Sequence, residues 1–395
     1  MKKVTVISLL VVSFILFFML FLSIGLSGTI LNNSNDTEPQ AKTEQPTPDP
    51  PQEPPPVQPP PAEKTTTVEL MAIGDILIHD TVYNTALTDS NQYDFTPMFE
   101  NVKPYLQSAD ITMANQETMI GGTEIGVSTY PTFNSPYEVG DALKSVGVDI
   151  VTIANNHTLD RGEKAIINAI DHWDTIDMKY TGAYRSSEDR STIRVIEKND
   201  IVFSFLSYTY GTNGIPVPDG KPYLVNLIEL DIIKSDIKKA NEKSDVVVVS
   251  LHFGDEYERL PNDEQKLVAN EVALAGADII IGHHPHVLQP PAWIDRADGS
   301  RTFVAYSLGN FLSGQRWDYK DIGGIMQIEI EKHVKGEFET ITLKNPSFLP
   351  TWVDRDFIVH PLVNLPDKQS MYTEIKTHMS KWIPDIHYID DQKQR

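Results

Sequence analysis

Beyond residue 64, apolar and polar positions fall into two recurring patterns. Short apolar runs at residues 68–73, 111–114, 149–154, 246–251, 278–281 and 304–306 each stop at glycine or at a cluster of polar side chains. A run this short, bounded as at Gly276 and Gly282, reads as a strand buried on both faces. Between the runs lie segments of helical period. Residues 161–176 place Ala165, Ile166, Ala169, Ile170 and Trp173 on one face, a core stripe. Residues 262–276 carry Leu267, Val268, Val272 and Ala275, with Asn262 and Gln265 at capping-box spacing and Asp263, Glu264 and Glu271 on a solvated face. Strands alternating with helices predict an α/β domain of packed layers. Residues 325–330 and 338–343 return to period-two alternation, as antiparallel strands completing a sheet do. A last helix is expected near residues 371–381.

The amino-terminal pattern is different. Lys2 and Lys3 precede residues 4–31, which carry no charge. That length spans a bilayer, and the flanking lysines predict a cytoplasmic amino terminus with the remainder outside the cell. The rival is a cleaved signal peptide with Ser23 and Gly25 at its cleavage site; the apolar stretch exceeds the roughly 7–15 residues usual there. Residues 32–64 are dense in proline and read as a disordered spacer, extending about 3.1 Å per residue as polyproline II. The expected organisation is an anchor (1–31), a linker (32–64), a domain (65–345) and a carboxyl-terminal extension (346–395).

Composition narrows the chemistry. A net charge of −22 over 395 residues, with no basic stripe, argues against a nucleic-acid partner. The absence of cysteine removes disulfides, thiolate ligands and a cysteine nucleophile. Any metal must be held by nitrogen and oxygen.

The ends of the apolar runs carry such donors. The first ends in Gly74-Asp75, with His79 close behind, and the second in Asn115-Gln116-Glu117. The third ends in Asn155-Asn156-His157, the fourth in His252 followed by Glu256 and Tyr257, and the last in Ser307 and Asn310. The fifth ends in Gly282-His283-His284-Pro285-His286. Extended backbone there would set His284 and His286 on one face, with Pro285 stiffening the chain between them. Six strands delivering carboxylate, amide and imidazole groups at the sheet edge where α/β proteins bind ligands point to a metal site. Asp160 and Glu163 have capping-box spacing, which assigns Asp160 to a helix start rather than to the site. His172, His333, His360, His378 and His387 have no comparable company.

In this order the motifs resemble the CapA family of membrane-anchored proteins of poly-γ-glutamate capsule synthesis, related to calcineurin-like metallophosphoesterases, over roughly residues 67–330. The resemblance implies a four-layer α/β/β/α sandwich behind one transmembrane helix, located at the cell membrane with its domain extracellular. It implies Asp75, Glu117, Asn156, His252, His284 and His286 as ligands of zinc, manganese or iron, with His157 facing the substrate. His79, Asn115, Asn155, His283, Glu256, Tyr257, Ser307 and Asn310 would be supports or substrate contacts. Asp75 lacks the Asp-x-His of the wider superfamily, and a glutamate stands at its bridging position. The implied partners are membrane-bound poly-γ-glutamate synthase subunits and an anionic polymer or envelope substrate. Two functions stay open, an export component and a metal-dependent hydrolase of phosphate esters or γ-glutamyl bonds; a scaffold with a vestigial site is a third.

Overall fold

The computed structural model describes residues 63–389. The expected anchor at 4–31 and nearly all of the linker lie outside them. Among the described residues no helix is long and apolar enough to cross a membrane.

Four strands open the fold, β1 (Glu63–Leu77), β2 (Ile111–Gln116), β3 (Ile150–Thr152) and β4 (Lys179–Thr181), all parallel. A second sheet follows with β5 (Arg194–Lys198), β6 (Ile201–Thr209), β7 (Val246–His252) and β8 (Ile279–His283). After the short β9 (Leu288–Gln289), β10 (Ala292–Asp295) and β11 (Arg301–Ala305) complete it in the order β10-β11-β8-β7-β6-β5. β12 (Ser307–Leu308) pairs with β9. The chain then rejoins the first sheet through β13 (Asn310–Ser313), β14 (Ile322–Lys335), β15 (Phe338–Val353), β16 (Val359–Pro361) and β17 (His387–Tyr388). That sheet runs β16-β15-β14-β1-β2-β3-β4, with β13 beside the end of β1 and β17 beside β15.

Side-chain alternation shows why the runs are continuously apolar. On β7, Val246 and Val248 face the other sheet, while Val247, Val249 and Leu251 face the helices Leu230–Asn241 and Asp263–Leu274. On β1, Val68, Leu70 and Ala72 point between the sheets, whereas Met71 and Ile73 meet the helices Glu138–Ser145 and Gly162–Thr175. Both faces of these central strands are therefore covered. The helix Asp263–Leu274 starts with the expected capping box, Asn262 and Gln265 each closing on the other's backbone.

Two differences from the sequence reading have physical causes, and the last helix forms where it is expected. β1 begins at Glu63, because Glu63 and Lys64 pair with Lys335 and Val334, so the spacer ends two residues earlier. β15 continues through residues 345 and 346, where it bulges against β14 with Asn345 at φ 48°, and β16 and β17 pair with it. The division expected there falls inside a strand. The helix Gln369–Met379 buries Tyr372, Ile375 and Met379 against the cluster between the sheets.

Candidate metal centre

The carboxyl ends of β1, β2, β3, β7 and β8 meet at one edge. His252 and His283 are register partners at the ends of β7 and β8 and carry the phase of Val248 and Ile279, so both point between the sheets. Asn115 shares the phase of Ile111 and Met113. Asp75 gets there by another route. Ile73 and Ile76 both belong to the outer cluster, although strict alternation would separate them, because the β1–β2 register shifts between Ile73 and Asp75. The extra residue is Gly74, and this bulge turns Asp75 inward. Gly74 must lack a side chain: a Cβ there would lie 2.0 Å from the Gly309 carbonyl oxygen.

His284 and His286 converge differently from the expectation. The strand stops at His283, and His284 and His286 have φ of 96° and 59°. They belong to a left-handed turn, not to one strand face, and their ring centroids stand 5.8 Å apart. Non-glycine residues in this region carry a strain of about 1–3 kcal/mol each, tolerated where the surroundings over-determine it. The Pro285 carbonyl accepts from the Tyr257 backbone N–H (2.8 Å), which pins the turn.

The resulting cluster is buried. Asp75 Oδ1 accepts from Asn115 Nδ2 (2.8 Å) and lies 3.1 Å from His283 Nδ1; Asp75 Oδ2 lies 3.1 Å from His286 Nδ1. Burial opposes ionisation of Asp75, yet the two histidines hold its carboxyl well below the ordinary range. Glu117, just beyond β2, is fully buried, and among the described residues neither carboxylate oxygen has a hydrogen-bond donor. Its Oε1 stands 3.6 Å from both His252 Nε2 and His286 Nε2. Burial pushes its pKa well up. His286 is raised to about 9 against burial by the Glu117 and Asp75 carboxylates, and burial takes His284 down to about 3. His252 Nε2 lies 2.8 Å from Asn156 Oδ1. Donor atoms of Glu117, His284 and His286 fall within 4.8 Å of one another, as do those of Asp75, Glu117 and His252. Glu117 belongs to both triads.

These residues fit a divalent ion. Among the described residues, two oxygens of Glu117 and one nitrogen each of His252, His283 and His284 are buried without a partner, a costly arrangement unless a cation satisfies some of them. Nitrogen and oxygen donors suit zinc, manganese or iron.

The other residues divide into supports and rim. Asn155 is a turn former, its side chain accepting from His157 N–H and donating to the Gln116 carbonyl. His79 turns toward the Leu77 carbonyl and the Gly314 N–H and lies outside both triads. Ser307 accepts from Gly309 N–H, and Asn310 ties down Gln315 and the Lys320 carbonyl. Glu256 and Tyr257 are exposed, the Tyr257 ring centroid 6.3 Å from that of His286.

Asp160 is the principal correction. The helix begins only at Gly162 and has no side-chain cap. Asp160 instead holds His157 Nδ1 (2.7 Å) and the Phe133 N–H (2.7 Å) in a buried pair. Asn213 accepts from the Asn156 amide and its own amide lies 3.4 Å from His157 Nδ1, and Tyr210 packs against His284 at 4.7 Å. Both follow β6, whose apolar run at 201–209 ends in polar residues just as the six identified runs do.

The chain matches the family described as bacterial capsule synthesis protein PGA_cap over residues 69–315. It is 27% identical over 299 residues to the PGA biosynthesis protein CapA of Bacillus subtilis (strain 168), covering 72% of this chain and 73% of that one. It is 25% identical over 324 residues to the capsule biosynthesis protein CapA of Bacillus anthracis, covering 77% and 76%. Among solved structures, a hypothetical protein from Thermus thermophilus aligns with a TM-score of 0.40 and 13% identity, over 70% of this chain and 98% of that one. A putative 5'-nucleotidase from Staphylococcus aureus aligns with a TM-score of 0.44 and 13% identity, over 79% and 58%.

Proposed function

The chain belongs to the bacterial capsule synthesis protein family, and on that premise we propose that it serves the synthesis or export of a poly-γ-glutamate envelope polymer through a divalent-metal centre. In this reading residues 4–31 anchor it in the cell membrane, the domain lies outside, and membrane-bound synthase subunits are its partners. The layered domain is then an α/β/β/α sandwich of the metallophosphoesterase type. The observation that carries the reading is Glu117, a buried carboxylate with no donor among the described residues, shared by two triads of ligand atoms. Asp75, Glu117, Asn156, His252, His284 and His286 hold the ion. A polymer of carboxylates is repelled by a chain of charge −22, so a metal or a local positive site must mediate contact. The test replaces the chromosomal gene by one encoding His284→Ala/His286→Ala and measures γ-glutamyl polymer. Loss of polymer at unchanged protein level supports the reading; undiminished polymer removes it.

The His157–Asp160 pair favours hydrolysis as the chemistry of this centre. Asp160 accepts a hydrogen bond from Nδ1–H, which fixes the ring and leaves Nε2 to exchange a proton with a leaving group. When bound, a divalent ion supplies Lewis acidity and lowers the pKa of water to about 7. Phosphate esters and γ-glutamyl amides are the candidate substrates. Turnover of either class by the metal-loaded protein, reduced about 100-fold or more in His157→Ala, supports this; no turnover of either class with zinc, manganese or iron refutes it.

A further inference from the structure

The segment after β13 leads from the metal centre into a second feature. β13 lies beside β1, with Asp75 opposite Asn310 and Leu77 opposite Ser313. Gly314 N–H then donates to His79 Nδ1 (3.2 Å), and Gln315 Nε2 to the Tyr257 hydroxyl (3.4 Å). The next residues open onto a cleft of about 480 Å³ lined by Arg316, Trp317, Trp352, Arg355 and Lys368 together with three aspartates. We propose that this cleft is a subsite for the carboxylate-bearing chain of a γ-glutamyl polymer, held beside the metal centre. The proposal rests on the polymer reading above and adds where the chain is bound.

Backbone and charge both support it. Trp317, Asp318 and Tyr319 have φ of 67°, 50° and 66°, three consecutive non-glycine residues in the left-handed region. Such strain persists where it serves the site. Here the twist leaves Trp317 71% exposed at the cleft, while Tyr319 is tucked under Arg259 and donates to Glu374. An indole face in that position stacks on planar groups such as amides.

The cations of the cleft are underused. Arg316 is half-buried, donates to the Val353 carbonyl and stacks on Phe357, with no carboxylate within ion-pair distance among the described residues. Arg355 is exposed, and Lys368 lies over the Trp352 ring with Asp367 no nearer than 4.0 Å. The acids are mostly engaged: Asp321 accepts from the Trp352 indole, and Asp354 from two backbone N–H groups and lies 2.9 Å from His360. Asp356 is the exposed acid of the lining. The three lining aspartates balance the three cations in charge, but among the described residues none of these cations has a carboxylate nearer than 4.0 Å, so their N–H donors stay open to an incoming carboxylate. A γ-linked glutamate chain offers one carboxylate per unit, joined by amides that an indole can stack on.

The test uses the full-length protein in detergent and fluorescence anisotropy of a labelled γ-glutamate oligomer. Trp317→Ala and Arg355→Ala, both at exposed positions, are compared with the parent, and metal content is measured in all three. Each variant should weaken binding about tenfold, the loss of one charge-assisted or stacking contact, with metal content unchanged. Oligomer binding by the parent with both variants within twofold overturns the cleft assignment and leaves the polymer reading standing. No oligomer binding by the parent overturns both. Free glutamate competing as well as the oligomer overturns the cleft as a subsite for a chain.

Discussion

Replacing Gly74 by alanine tests how the fold builds its centre. A Cβ at Gly74 would sit 2.0 Å from the Gly309 oxygen, 2.7 Å from the Leu308 oxygen and 3.0 Å from the Gly309 carbon. All three atoms are backbone, so no side chain can swing aside, and the strand must retreat by about 1 Å to reach an ordinary contact. The retreat stretches the Asp75 N–H to Gly309 bond, now 2.8 Å, and the two 3.1 Å contacts from Asp75 to His283 and His286. Overpacking costs about 1–3 kcal/mol and each charged hydrogen bond weakened about 1 kcal/mol or more. The expected loss is therefore about 3–5 kcal/mol, read as a lower urea midpoint at unchanged slope. Gly211→Ala is the control, since a Cβ at Gly211 meets nothing within 4 Å and its φ is not left-handed. It should change stability by less than about 0.5 kcal/mol. Equal stability of Gly74→Ala and the parent would refute the claim that the bulge aims Asp75.

Two further outcomes follow from the same geometry. Asp160→Ala strands the Phe133 N–H and His157 Nδ1 in a buried setting, and urea unfolding should show a loss of about 2–4 kcal/mol; a loss under about 0.5 kcal/mol would return Asp160 to a peripheral role. After chelation, His286 should make stability fall as pH rises. Its pKa is about 9 in the fold against 6.5 unfolded, so its contribution is complete below 6.5 and disappears through about 9. The urea midpoint of chelated protein should decline across that window, and a flat or rising midpoint would contradict the pairing with Glu117 and Asp75.

Much of the layering was legible because burial on both faces leaves continuous apolar runs, and the donors at their ends were legible because the runs stop abruptly. Position within the turns was not. The left-handed conformation of His284 and His286 has no signature in the histidines themselves, and strand alternation put them on one face for the wrong reason. Asp160 was hidden by Glu163, whose spacing imitates a capping box although the helix begins two residues after Asp160. Tyr210 and Asn213 were within reach of the same strand-end signal, at the close of β6. The bulge at Gly74 is visible only once Ile73 and Ile76 are found in one cluster.

The most direct measurement is the metal content, by elemental analysis, of the purified protein beside its His284→Ala/His286→Ala variant, each offered zinc, manganese and iron. Stoichiometric metal in the parent and its loss in a folded variant is the result the buried Glu117 triads require. No metal in either would contradict the central claim and leave the donor cluster without the cation that justifies its burial.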